Sequence, residues 1–105
     1  MTRIIAAVQD GPVTVYLAWT SEPPADLDGP WHEARQIAPG LLALESTETL
    51  SVVYHALKWA LSDEGSLIVV PVDRTPKSRG MAPGSTSWLR ERTTPDRRDD
   101  PRRER

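Results

Sequence analysis

His32 and Glu33 are adjacent, and His55 follows within a helical pattern, so the chain carries residue types able to hold a divalent metal or move a proton. Their spacing works against that chemistry. Neighbours on a strand point to opposite faces, and neither an HxxxH nor an HxxE pair brings two ligands onto one helix face. The histidines therefore read as surface or half-buried side chains. Glu45 and Glu48, three residues apart before a helical segment, have the types needed for paired acid–base work. Helix capping and the positive end of the helix dipole account for them more simply. Ser46, Ser51 and Ser62 have no GxSxG context or base at a fixed spacing, and the glycines form no phosphate loop. The expectation is no catalytic residue, no metal and no cofactor.

The charged residues are unevenly placed. Residues 1–73 hold three basic against ten acidic side chains, whereas residues 74–105 hold ten basic against five acidic, so a net charge of −2 conceals an acidic body and a basic C-terminal segment. Arg74, Lys77, Arg79, Arg90, Arg92, Arg97, Arg98, Arg102, Arg103 and Arg105 are the candidate contacts for nucleic acid or another anion. Interleaved Glu91, Asp96, Asp99, Asp100 and Glu104 fit a mixed-charge solubilising tail equally well. Trp19, Trp31, Trp59 and Trp88 can stack bases, but such residues serve more often as core or interface anchors. Arginine outnumbers lysine eleven to two, a bias resembling proteins of GC-rich bacteria or phage.

The elements that must position these residues follow from periodicity. Arg3–Gln9 is apolar and β-capable. Val13–Trp19 alternates Val13, Val15, Leu17 and Trp19 against Thr14, Tyr16 and Ala18, so the two runs around Asp10-Gly11-Pro12 predict a hairpin. Thr20–Pro30 is a proline-rich loop. Trp31–Ala38 reads as a strand in preference to a short helix, joined to Leu41–Glu45 through Pro39-Gly40, the pair a type II turn requires. Leu50, Val53, Tyr54, Leu57 and Leu61 make the core face of a helix capped by Ser46 or Thr47, with Glu48 at its positive end and Gly65 in the left-handed position after it. Val52, Ala56 and Trp59 form a second apolar stripe, beyond what one sheet face needs, and are the candidate interface. Leu67–Val72 is unbroken apolar, as in a strand buried on both faces, and Pro71 places it at a strand end or sheet edge.

Trp31-His32, LLALEST (Leu41–Thr47), YHALKWAL (Tyr54–Leu61), Ser62-Asp63-Glu64 and SLIVVPV (Ser66–Val72) resemble the second half of the CRISPR-associated Cas-two family and its SinR-like relatives. That resemblance implies a small βαββαβ, ferredoxin-like domain that commonly dimerises. The first half departs from the family: a hairpin and a proline-rich loop stand where it places a strand and a full helix. Its nuclease members bind a metal through an aspartate ending the first strand, whereas Tyr16–Ser21 (YLAWTS) has no acidic residue, so nuclease activity is not carried to any position.

The expected fold class is therefore α+β: a ferredoxin-like or truncated ferredoxin-like domain, an antiparallel sheet with one principal helix. The expected organisation is a compact domain over 1–72, a loop segment over 73–89 docked by Trp88, and a disordered charged tail over 90–105. Cysteine is absent, which excludes disulfides and thiolate metal sites. No apolar run is long enough for a membrane span, and the first residues lack a secretory pattern, so the expected compartment is the cytoplasm. The expected function is a non-enzymatic interaction module that dimerises or docks another protein through a sheet edge or the helix, its basic segment contacting nucleic acid or an acidic partner. The alternatives are a small ferredoxin-like enzyme (nuclease or cofactor-free) with a pocket near His32 and His55, and a regulator from a phage or mobile element.

Overall fold

A computed structural model describes residues 12–95. The elements run β1 (Thr14–Thr20), β2 (Glu33–Ala38), β3 (Leu41–Ser46), α1 (Leu50–Lys58), β4 (Leu67–Val72) and α2 (Ser85–Arg92). The strands form one sheet in the order β2-β3-β1-β4, with every neighbouring pair antiparallel. The domain is α+β with one principal helix, and its strand order and directions are those of a ferredoxin-like sheet. The first crossover carries no helix: residues 21–32 run from β1 to β2 as a loop. Its prolines deny the amide donors a helix would need.

Each sheet face carries a packed cluster. On one, Tyr16, Ala18, Leu42 and Leu44 pack with Val53 and Leu57 of α1, and Leu27 and Trp31 of the crossover loop fill in beside them. The Trp31 indole donates to the Leu27 carbonyl at 2.6 Å, holding the loop in that place. On the opposite face, Val15, Ile37 and Ala43 pack with Trp88 and Leu89 of α2. The alternation of β1 sends its odd and even residues into separate cores.

Several local expectations are corrected. β1 has β3 on one side and β4 on the other, so neither edge is open for the predicted hairpin; the hairpin's first strand, residues 3–9, lies outside the described residues. β4 is an edge strand, not a doubly buried one: Ile68 is 59% exposed and Val70 43%. An apolar run alone does not distinguish a central strand from an edge strand with one greasy, uncovered face. α1 ends at Lys58, so Leu61 lies beyond it, and Leu50 and Tyr54 are 41% and 37% exposed; only Val53 and Leu57 are buried from the helix. The cap is Thr49, whose hydroxyl accepts from the Val52 amide. Ser46 instead closes β3, donating to the Pro30 carbonyl at 2.6 Å and accepting from the Glu48 amide at 2.9 Å. Glu48 therefore precedes the cap, and the first turn of α1 has no acidic residue. Gly65 is not among the positive-φ glycines; it permits a close approach, since a Cβ there would meet Glu22 and Leu61 at 3.0 Å.

The Pro39-Gly40 turn has the expected geometry at its glycine. Gly40 has φ 77°, its carbonyl accepts from the Thr20 amide at 2.8 Å, and a Cβ would sit 2.8 Å from the Thr20 carbonyl oxygen. Residues 85–92 are helical, so the boundary placed at residue 90 falls inside α2. Among the described residues, no helix is long and apolar enough to cross a membrane.

Candidate functional site

α1 presents two different faces. Val53 and Leu57 point into the sheet, while Val52, Ala56 and Trp59 lie on the outside. Trp59, the C-terminal cap of the helix, is 77% exposed. Together with Pro30 of the crossover loop, Ser51 and His55, these residues line a shallow, largely apolar groove. The β3–loop connection through Ser46 and Pro30 fixes one wall of that groove relative to the helix. The His55 ring lies edge-on to Tyr54 and tilted 54° against Trp59, with Nδ1 2.8 Å from the Ser51 carbonyl. That contact turns the imidazole back onto its own helix.

The carboxylates singled out by sequence serve a different purpose. Glu33 and Glu45 are cross-strand partners on the β2–β3 ladder and share the face that α2 covers. Glu33 accepts from the Trp88 indole at 2.7 Å, and Arg92 donates to Glu45 at 2.9 Å and reaches Glu33 at 3.4 Å. The Arg92 guanidinium also lies over the Trp88 ring, 4.3 Å from its centroid. This four-residue clasp ties the C-terminal helix to the sheet. The Trp88 indole holds the Glu33 carboxyl below the ordinary range; partial burial works against it, and Arg92 and Arg35 reinforce it. Burial disfavours the Arg92 cation, but its hydrogen bond and charge pairing with Glu45, with Glu33 and Glu91 adding to it, outweigh that and raise it further. Glu22 is lowered in the same direction, first by the Ser62 amide and then by the Ser62 hydroxyl.

The shared pocket that the enzyme alternative places near His32 and His55 does not assemble among the described residues. His32 and His55 are both exposed and line separate recesses, His32 beside the crossover loop and His55 in the α1 groove. Among the described residues, no group of three His, Cys, Asp or Glu side chains is placed to hold a metal. Glu45 and Glu48 are also separated in role, Glu45 being paired with Arg92 while the Glu48 carbonyl accepts from the Tyr16 hydroxyl at 2.7 Å.

Of the candidate basic contacts, Arg74, Lys77, Arg79 and Arg90 are exposed. Arg92 is committed to the clasp. Arg97, Arg98, Arg102, Arg103 and Arg105 lie outside the described residues. The tryptophans divide by location: Trp31 and Trp88 pack in the two cores with their indole N–H groups satisfied, and Trp19 and Trp59 face solvent.

The clasp was missed by sequence reasoning, although a signal exists. Trp88 and Arg92 stand at helical i, i+4 spacing, and Glu33, Arg35 and Ile37 stand at strand alternation. Pairing the two patterns requires knowing which sheet face the C-terminal segment crosses. No family model matches the chain, and neither a curated protein nor a solved structure matches it.

Proposed function

We propose that the chain is a non-enzymatic interaction module that docks a second protein chain, its own copy included, on the outer face of α1, while its basic C-terminal segment contacts nucleic acid. The observation that carries this reading is Trp59. A tryptophan 77% open to water, beside exposed Val52 and in a groove walled by Pro30, costs hydration free energy that only a covering surface recovers. The nucleic-acid part is supported by charge: the basic excess lies entirely after residue 73, and Arg74, Lys77, Arg79 and Arg90 face solvent. Contact through such side chains is sequence-tolerant and weakens with salt.

Two measurements on the full chain test the reading. Light scattering over a concentration series compares the wild type with Trp59→Ala; self-association through α1 predicts that the substitution shifts the equilibrium toward monomer. Binding of a labelled oligonucleotide is then titrated in salt for the full chain and for a chain ending at Pro95. The reading predicts a steep loss of affinity with salt and a smaller slope for the shortened chain. Absence of oligonucleotide binding by the full chain at low salt would remove the nucleic-acid part.

A further inference from the structure

Among the described residues, a second uncovered surface lies on the opposite sheet face, at the outer edge of β4. On β1 and β4, Trp19 stands opposite Ile68, Leu17 opposite Val70 and Val15 opposite Val72. α2 covers the Val15 end of this strip with Trp88 and Leu89. At the other end Trp19 remains 44% exposed, next to the exposed Ile68 and Val70. Among the described residues, no strand pairs with the outer edge of β4. Three large apolar side chains therefore surround an open row of backbone groups, with no lysine or other charge within β4 to discourage pairing.

Proline determines which backbone groups are available. Pro71 pairs with Tyr16 and has no amide proton, so that pair must be a non-hydrogen-bonded one. Ile68, Val70 and Val72 accordingly bond inward to β1. The next inward position agrees, since the Ser21 amide donates to the Ser66 carbonyl at 3.0 Å. The amides and carbonyls of Leu67 and Val69, and the carbonyl of Pro71, therefore point outward.

We infer that a second copy of this chain adds to the β4 edge, antiparallel, about a two-fold axis at Val69. The edge is self-complementary at that register. Val69 and the partner's Val69 exchange both backbone bonds, and the Leu67 amide meets the partner's Pro71 carbonyl, so the missing proline donor removes only the reciprocal bond. Ile68 falls opposite the partner's Val70 in a close, non-hydrogen-bonded pair, extending the Trp19–Ile68 strip across the axis. Beyond Val72 the outward backbone is taken within the chain, where the Thr94 amide donates to the Asp73 carbonyl at 3.0 Å and the Thr75 amide to the Thr94 carbonyl at 2.8 Å, so the pairing is confined to Leu67–Pro71. The strand-to-strand contact is distinct from the α1 groove, which lies on the other side of the sheet.

The experiment is sedimentation of the full chain over a concentration series, for the wild type, Ile68→Lys, Val70→Glu and the double variant, with circular dichroism confirming that each is folded. A concentration-dependent wild-type dimer is expected, with each single substitution raising its dissociation constant about tenfold or more. The double variant regains affinity, because the register sets each introduced lysine against an introduced glutamate. Amide exchange supplies the backbone readout: the Leu67 and Val69 amides gain protection as concentration rises. A monomeric wild type at all concentrations overturns both this inference and self-association through α1. A dimer lost in Trp59→Ala but unaffected by Ile68→Lys and Val70→Glu overturns the β4 register alone. Protection of Val69 that does not change on dilution overturns it as well, because the edge is then occupied within one chain.

Discussion

At the residue scale, the clasp of Glu33, Glu45, Trp88 and Arg92 has a definite acid–base signature. Glu33 is depressed when folded, chiefly by the Trp88 indole. A carboxyl lowered by folding contributes stability in full above its ordinary value of 4.5 and loses it as pH falls through the folded value. Trp88→Phe removes the indole donor while keeping an aromatic ring under Arg92. The Glu33 carboxyl is then expected to move up toward its ordinary range in an NMR titration, and the acid-side loss of stability to become shallower. An unchanged titration would mean that Arg92, not the indole, dominates. Gly40 gives a second residue-scale prediction. Its φ of 77° and the Thr20 carbonyl at 2.8 Å leave no room for a side chain, so Gly40→Ala should lower unfolding free energy by about 1–3 kcal/mol in chemical denaturation. The Pro39-Gly40 turn was legible because a residue type demands a backbone geometry. The roles of Glu33 and Glu45 were not, because their partners lie on a helix distant in sequence.

At the element scale, α1 and β4 show what a local pattern can carry. The strand β2, the turn, β3, the presence of α1 and the outward stripe of Val52, Ala56 and Trp59 all follow from period and punctuation. The ends of α1 did not, since Leu61 continues the period but lies beyond Trp59, where the chain turns. α2 was missed altogether. Gly84 before it has a left-handed φ of 87° and offers no side-chain cap, and the helix has no acidic residue in its first turn, so it carries no start signal. Its stability comes from contacts with the sheet: Leu89 is buried at 1% exposure, and Thr93 closes the end by donating to the Leu89 carbonyl at 2.6 Å. Leu89→Ala is expected to cost about 2–5 kcal/mol, read from the denaturation midpoint. A chain ending at Gly84 should lose cooperative unfolding because Val15, Ile37 and Ala43 become uncovered.

At the scale of the whole molecule, the two proposed contact surfaces lie on opposite sides of one sheet, and each begins where a covering helix stops. Among the described residues, α1 leaves its own outer stripe bare and α2 leaves the Trp19 end of the other face bare. Iodide quenching separates the tryptophans accordingly: Trp59 and Trp19 should be accessible in the monomer, Trp88 shielded, and Trp19 alone should become shielded if the β4 pairing forms. The position of β1 has one more consequence, for the birth of the chain. The first of the described strands occupies the centre of the sheet and receives both neighbours later, β4 last. A nascent chain that has extruded Val13–Thr20 must keep this alternating apolar ribbon from other ribbons until residue 72 has emerged. The sheet then closes through contacts distant in sequence, which slows folding relative to a meander of the same size. Slowed translation or a missing holdase would therefore be felt through β1, long before either finished surface exists.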